Sequence, residues 1–160
     1  MRRMTYLSGF RSIVRRYPER EAIVTVDGRS ITYRDLDERT DALAAAMEAR
    51  LPGQRCALLS HNGVAVIESM LASMKRGRAN VQLSTRGAAG ELTSMIENSK
   101  AAGLLFDSAL AEPAAGILDR LDLDVVVRIG DPTDQVPDVE SYADVVAGAD
   151  PADAPAEPAT

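Results

Sequence analysis

Four short apolar runs recur at regular intervals through the later part of this chain. They begin at Cys56, Ala79, Gly103 and Val125, so their starting points lie 22 to 24 residues apart. Such an interval holds one short strand, one helix and two turns. The intervening segments carry apolar residues at helical spacing but share no sequence pattern, which excludes a solenoid of repeats. Alternating strands and helices predict an α/β fold with a largely parallel sheet flanked by helices.

A helix and a β-hairpin are predicted before this sheet. Residues 5–17 place apolar side chains at helical spacing, which is typical of an amphipathic helix. The β-branched segments Ile23 to Val26 and Ile31 to Tyr33 flank Asp27-Gly28, a pair that favours a type I′ hairpin turn. The sequence therefore predicts an N-terminal helix, then a hairpin, then the sheet.

Three further helices have predicted buried faces. Thr32 and Asp35 are spaced like a capping box that begins the helix ended by Pro52-Gly53. Its predicted buried face consists of Leu36, Thr40, Leu43 and Met47. The predicted buried face of the helix after residue 63 consists of Ile67, Met70, Leu71 and Met74. In the helix after residue 88, Met95 belongs to the predicted buried face. These methionines are interpreted as core packing.

Composition narrows the class of protein. The 160 residues suit one domain, and 46% of them are hydrophobic, which is enough for a core. A single cysteine, Cys56, and a single histidine, His61, exclude an internal disulfide and argue against a Cys/His zinc site. A free cysteine fits a cytoplasmic setting, and no apolar run is long enough for a signal peptide or a membrane span. Few aromatics and a net charge of −6 argue against nucleic-acid binding.

Charge divides the two ends of the chain. Residues 1–20 carry six arginines and one acid, and Arg11 and Arg15 lie one helical turn apart, which favours a solvated helix face over a phosphate contact. Residues 131–160 carry eight acids and no lysine or arginine. The last segment, 150–160, is almost entirely Pro, Ala, Asp and Glu, so we expect a flexible linker after an α/β subdomain of residues 1–149.

Two loops after predicted strands are candidates for ligand binding. Ser60-His61-Asn62-Gly63 follows a strand, where open α/β sheets place ligands. A Ser–His catalytic pair is disfavoured because adjacent side chains rarely reach that geometry, so Ser60 or Asn62 is predicted to cap the next helix and His61 to face solvent. Gly87-Ala88-Ala89-Gly90 matches no dinucleotide fingerprint and indicates turn geometry more than phosphate binding.

Acidic residues cluster at one helix start. Asp35, Asp37 and Glu38 are interpreted as partners of the positive helix terminus and not as a metal or acid–base site. No Walker A sequence is present, since neither lysine, Lys75 or Lys100, follows a glycine. The residues alone therefore predict no catalytic, cofactor-binding or metal-binding side chain in this chain.

The order of segments nevertheless resembles the beginning of the adenylate-forming superfamily, which includes acid–CoA ligases, luciferases and the adenylation domains of peptide synthetases. The resemblance covers residues 5–149 and rests on five segments in order. They are Tyr17-Pro18-Glu19-Arg20-Glu21-Ala22-Ile23-Val24, Ile31-Thr32-Tyr33-Arg34-Asp35-Leu36-Asp37-Glu38, Leu58-Leu59-Ser60-His61-Asn62, Met74-Lys75-Arg76-Gly77 and Glu91-Leu92-Thr93-Ser94-Met95-Ile96. Arg78, Gln82 and Ser84 depart from the Ala, Pro and Asn that are frequent there.

The resemblance implies a parent enzyme that uses ATP and Mg²⁺ to form an acyl-adenylate and then transfers the acyl group to coenzyme A. An aliphatic acid such as a fatty acid is the expected substrate. The family's phosphate loop, nucleotide motifs and catalytic lysine lie downstream of the matched segments, so the resemblance assigns no catalytic residue here and implies an inactive N-terminal fragment. Its expected partners are the remainder of its own chain or a second copy, through an exposed apolar flank.

Three alternatives to this reading stay open. The parent enzyme could instead activate an aryl acid or an amino acid. The chain could also be a non-enzymatic interaction module that keeps the fold. If the chain is part of a ligase, we expect the reading frame to continue past Thr160 into a loop rich in Ser, Thr and Gly.

Overall fold

The computed structural model describes residues 5–156, so the basic start of the chain and the last four residues of the predicted linker lie outside the described part. The α-helices are α1 (Tyr6–Arg16), α2 (Tyr33–Arg50), α3 (Val64–Lys75), α4 (Ala89–Ser99), α5 (Ala111–Leu118) and α6 (Tyr142–Ala147). The strands are β1 (Glu21–Val24), β2 (Ser30–Thr32), β3 (Arg55–Leu59), β4 (Val81–Gln82), β5 (Ala101–Asp107), β6 (Val125–Ile129) and β7 (Glu140–Ser141).

The main sheet has five strands in the order β4-β3-β5-β6-β7. Every neighbouring pair is parallel, with Leu58 beside Gln82 on one side and beside Leu105 on the other, and with Leu105 beside Val127. Four of its strands coincide with the four apolar runs of the sequence. The predicted parallel α/β sheet is confirmed.

Helices cover both faces of this sheet because side chains alternate along each strand. Leu58 and Leu105 point into a core shared with α2, α3 and α6, where Leu43, Met47 and Tyr142 pack. The opposite face packs on α4 and α5, and its core contains Leu59, Leu104, Phe106, Leu92, Ile96 and Ile117. Both cores consist mainly of aliphatic residues, with one aromatic residue in each, Tyr142 and Phe106.

The hairpin β1–β2 is antiparallel, as predicted, but its turn differs from the predicted type I′ turn. That turn needs positive φ at both Asp27 and Gly28, whereas only Gly28 has it, at +81°. The Gly28 amide donates to the Thr25 carbonyl and the Thr25 amide donates to the Arg29 carbonyl, both at 2.9 Å. This pattern is a type I turn followed by a left-handed glycine, so the loop is one residue longer than predicted.

Helix α2 begins as the sequence indicates. Thr32 Oγ1 accepts from the Asp35 amide at 3.1 Å and Asp35 Oδ2 accepts from the Thr32 amide at 3.3 Å, which confirms the capping box. The predicted face is buried at all four positions, Leu36, Thr40, Leu43 and Met47. The helix also buries four alanines, 42 and 44–46, since it lies between the sheet and neighbouring helices.

Helix α3 buries a different face from the predicted one. Leu71 is buried, but Ile67 is 37% exposed and Met70 and Met74 are only half-buried. The buried positions include Glu68, Ser69, Ser73 and Lys75, which are polar. Met95 on α4 is also half-buried, whereas its neighbours Leu92 and Ile96 are fully buried. The prediction failed on α3 because its polar side chains find partners on α2 and α6.

The end of the described chain returns to α2. Pro151–Asp153 forms a short 3-10 turn that lies beside α2, after α6 has packed on the same helix. The division into a subdomain of residues 1–149 and a linker of residues 150–160 stays a prediction. Within residues 5–156, no helix combines the length and apolar character that crossing a bilayer requires.

Candidate functional site

The topology of the sheet locates one crevice. The chain enters the sheet at β3, moves outward to β4, and then crosses back over β3 to β5, after which it continues to β6 and β7. The direction of winding therefore reverses between β3 and β5. In open α/β sheets, ligands bind outside the carboxyl ends of the strands at this point of reversal. The residues that follow β3 and β5 are thus the candidate site.

His61 and Asp107 face each other across this crevice. His61 follows β3 and Asp107 ends β5, and His61 Nδ1 lies 3.6 Å from Asp107 Oδ2, beyond direct hydrogen-bond length. The side chains are 56% and 26% exposed, so the pair is open to solvent. Asp107 is held by its other oxygen, Oδ1, which accepts from the Ala109 amide at 3.0 Å. A carboxylate fixed in this way can orient an imidazole or a ligand group placed between them.

The neighbouring hydroxyl is not poised for nucleophilic catalysis. Ser60 Oγ donates to the His61 carbonyl at 2.9 Å, so it is turned away from the imidazole. The sequence prediction that Ser60 or Asn62 caps α3 is wrong, because the N-cap is Gly63, which has no side-chain cap. His61 is exposed, as predicted. The crevice can therefore bind and orient a group, but it lacks a Ser–His pair.

The glycines near α4 serve packing and turn geometry. A Cβ on Gly87 would lie 2.6 Å from Leu92 Cδ2, a buried side chain at the centre of the second core. Gly90 lies in the first turn of α4 with open space around it, and the N-cap Ala88 has no side-chain cap. These contacts support the turn interpretation of Gly87-Ala88-Ala89-Gly90 over a phosphate loop.

The acidic cluster on α2 divides into two roles. Asp35 closes the capping box, as the helix-terminus interpretation expects. Asp37 instead bonds Lys75 of α3, whose Nζ lies 2.7 Å from Asp37 Oδ1 and 2.8 Å from Asp41 Oδ1. Arg11 of α1 reaches the same two carboxylates at 3.1 and 3.2 Å. The sequence interpretation of Asp37 was therefore incomplete.

A second buried polar group joins α2, α3 and α6. Glu68 is 1% exposed, accepts from the Tyr142 hydroxyl at 2.8 Å and pairs with the Arg39 guanidinium. Burial and the neighbouring Glu68 carboxylate raise the pKa of Tyr142, so its hydroxyl stays protonated and donates. Both groups fix helices to one another through largely buried ion pairs and hydrogen bonds.

No other side chain of the described segment adds chemistry to the crevice. Burial raises the pKa of the Cys56 thiol to about 12, so it is not a thiolate nucleophile. Across residues 5–156, no group of three or more His, Cys, Asp or Glu side chains is placed to hold a metal ion. Of the two lysines, Lys75 is buried with two aspartates. Lys100 precedes β5 and therefore lies at the amino ends of the strands, away from the crevice. These residues do not fit an ATP–Mg²⁺ site by themselves.

A doubly wound α/β domain with a crevice at its point of reversal is the class that fold and site define. Comparison with known proteins is more specific, because residues 10–160 match the family model for AMP-binding enzymes. The chain is 30% identical over 120 residues to a 3-oxocholest-4-en-26-oate–CoA ligase of Rhodococcus rhodochrous. It is 31% identical over 130 residues to the medium-chain acyl-CoA ligase Mig of Mycobacterium avium. The chain belongs to the AMP-binding enzyme family.

Solved structures agree on the fold. A benzoate CoA ligase from Burkholderia xenovorans LB400 superposes with a TM-score of 0.83 over 99% of this chain, at 19% identity. The match covers 31% of that ligase. The two curated matches cover 73% and 71% of this chain but only 21% and 24% of the relatives. The resemblance to the N-terminal part of adenylate-forming acid–CoA ligases is confirmed.

Proposed function

We propose that this chain contributes the N-terminal α/β subdomain of an ATP-dependent acid–CoA ligase. The observation that carries the proposal is the family match over residues 10–160, together with two curated relatives that are both CoA ligases. An enzyme of this type forms an acyl-adenylate from an acid and ATP with Mg²⁺, and then forms the coenzyme A thioester. The chain spans about a quarter of these relatives' length, and we propose that the groups performing these steps lie outside it.

The proposed substrate is an aliphatic acid, such as a fatty acid. Two of the curated relatives are named for an oxocholestenoate and for medium-chain acyl groups, neither of which is an aryl acid, although another match is bacitracin synthase 3 of Bacillus licheniformis, at 32% identity over 100 residues. The benzoate ligase is similar in fold at 19% identity, which carries no argument about substrate.

The chain by itself is proposed to be inactive. Its described residues provide a His–Asp crevice but no lysine-bearing phosphate loop and no metal-binding group. We also propose a cytoplasmic location, given the free Cys56. Its partner is then the remainder of its own chain, and a second copy when that remainder is missing.

The experiment compares the complete protein with residues 1–160. Acid-dependent exchange of pyrophosphate into ATP reports adenylate formation, and mass spectrometry reports the CoA thioester. Octanoate and palmitate should support both signals in the complete protein, and benzoate should support neither. The 160-residue chain should give no exchange, and any calorimetric binding of ATP with Mg²⁺ should be much weaker than micromolar. Micromolar ATP binding by the short chain, or exchange with benzoate alone, would contradict the proposal.

A further inference from the structure

A second cleft lies at the amino ends of the strands, on the opposite side of the sheet from the carboxyl ends where His61 and Asp107 lie. Its volume is about 290 Å³, and its walls come from the residues before β3, after α3 and after α4. The lining residues are Gly53, Gln54, Arg55, Gly77, Arg78, Ala79 and Lys100. Three of these seven residues are cationic and none is acidic. The cleft therefore concentrates positive charge within an acidic protein.

Protein groups leave most of this charge unneutralised. Arg55 donates one hydrogen bond, from Nη1 to the Ser99 carbonyl at 2.6 Å. Neither the Arg78 guanidinium nor the Lys100 ammonium bonds any residue between 5 and 156, and no carboxylate of that segment forms an ion pair with the three cations. Glu48 offsets part of this charge, because, against the effect of burial, hydrogen bonds from the Gly53 amide and Arg76 Nε, each at 2.9 Å, and the charges of Arg76 and Arg78 lower the pKa of its carboxyl.

Two features of the cleft cost stability. Arg78 Nε is buried and has no acceptor within the described segment, and a buried unpaired donor is unfavourable. Lys100 has a φ of +54°, the left-handed conformation that suits glycine at the end of a helix. At both positions the chain carries a cation, although a neutral side chain at 78 or a glycine at 100 would make the folded state more stable. Such local conflicts are characteristic of sites kept for binding.

Neutralisation of helix ends accounts for only part of the arrangement. Helices α2, α3 and α4 all end near the amino ends of the strands, and cations interact favourably with the carbonyls of a helix C-terminus. Arg55 fits that role through Ser99, and Arg76 fits it through the Leu51 carbonyl at 2.6 Å. Within residues 5–156, Arg78 and Lys100 bond no carbonyl through their side chains, so these helix ends do not neutralise their charges.

We propose that this cleft binds a phosphate group. Two arginines and a lysine supply charge-assisted donors, and guanidinium groups match the oxygens of phosphate. Gly53 and Gly77, both with positive φ, form part of the wall without side chains that would fill it. The cleft is open to solvent and has room for more than one phosphate, so it can accommodate a diphosphate or a phosphate monoester.

Titration of the ¹⁵N-labelled 160-residue chain at constant ionic strength tests the proposal. The probes are inorganic phosphate, pyrophosphate and glucose 6-phosphate. Saturable shifts of the Gly53, Gly77 and Lys100 amides are expected, with a Kd of roughly 1 mM or tighter for the best probe. Preference for pyrophosphate indicates a free diphosphate as ligand, and preference for glucose 6-phosphate indicates a phosphorylated metabolite. Shifts scattered over the surface, or absent, overturn the proposal.

Variants separate the cleft from general charge. Arg78→Gln should weaken binding by at least ~10-fold, the loss of one charge-assisted hydrogen bond. Lys100→Gly should weaken it similarly while folding at least as well, because glycine relieves the positive φ. Arg29→Gln removes the same charge from the distant hairpin and should leave binding within ~2-fold of the unaltered chain. Equal weakening by Arg29→Gln and Arg78→Gln overturns the site.

Discussion

Lys75 shows at the scale of one residue how this chain places charge inside a small domain. Its side chain is 1% exposed, and its ammonium lies between Asp37 and Asp41, with the Asp37 carbonyl as a third acceptor at 2.8 Å. Two aspartates four residues apart on α2 share one face and can hold one cation between them. Burial of this group is tolerable because every charge in it has a partner.

Replacing Lys75 should therefore be costly. Lys75→Met leaves Asp37 and Asp41 with only Arg11, and we expect a loss of about 3 kcal/mol in the free energy of unfolding. Urea denaturation at pH 7 measures this loss. Combining Lys75→Met with Asp37→Asn and Asp41→Asn should recover part of it, because no carboxylate is then left without its lysine partner. A change below about 1 kcal/mol for Lys75→Met would show that the ion pair is not buried as described.

Elements of secondary structure differ in how far the sequence determines them. The strands β3, β5 and β6 were predicted correctly because they are continuous apolar runs, and α2 because its cap and its buried face are both local patterns. The buried face of α3 was not predicted. Glu68 and Lys75 are buried through partners on α2 that lie 29 and 38 residues away in sequence, which periodicity does not register.

The candidate site depends on the same kind of non-local information. The loop that contains His61 was recognised as the end of a parallel strand, which is a local inference. Its pairing with Asp107 follows only from the strand order, which places β3 beside β5. The second cleft was likewise not predicted from the sequence, because Arg55, Arg78 and Lys100 come from three separate segments. The sequence signal was that Arg78 and Lys100 lie just after the ends of two predicted helices.

The cap of α2 provides a prediction at this scale. Thr32→Ala removes the side-chain acceptor for the Asp35 amide and should lower the free energy of unfolding by about 1 kcal/mol. Thermal denaturation measures the change. Thr85→Ala is the matched control, since Thr85 is half-buried and its hydroxyl bonds no residue in the described range. A control variant as destabilised as Thr32→Ala would mean that loss of the hydroxyl, and not loss of the cap, is responsible.

At the scale of the whole molecule, α1 carries more apolar surface than the fold covers. Leu7 is buried, but Tyr6, Ile13 and Tyr17 are 89%, 40% and 41% exposed. A spacing of seven residues places Tyr6 and Ile13 on one side of the helix, and Tyr17 follows as its C-cap. On the hairpin that follows α1 in the chain, Val24 is also 60% exposed. Apolar side chains exposed together on one side of a helix are typical of a surface that another protein segment covers.

This surface leads to the last prediction. Without a covering segment, the 160-residue chain should self-associate with rising concentration, which sedimentation velocity detects. Ile13→Lys places a charge within the exposed side of α1 and should shift the chain towards monomer. Ser12→Lys adds the same charge at the adjacent exposed position, about a quarter turn away, and should leave association unchanged. A chain that stays monomeric at millimolar concentration, or one that both variants affect equally, would contradict an apolar docking surface on α1.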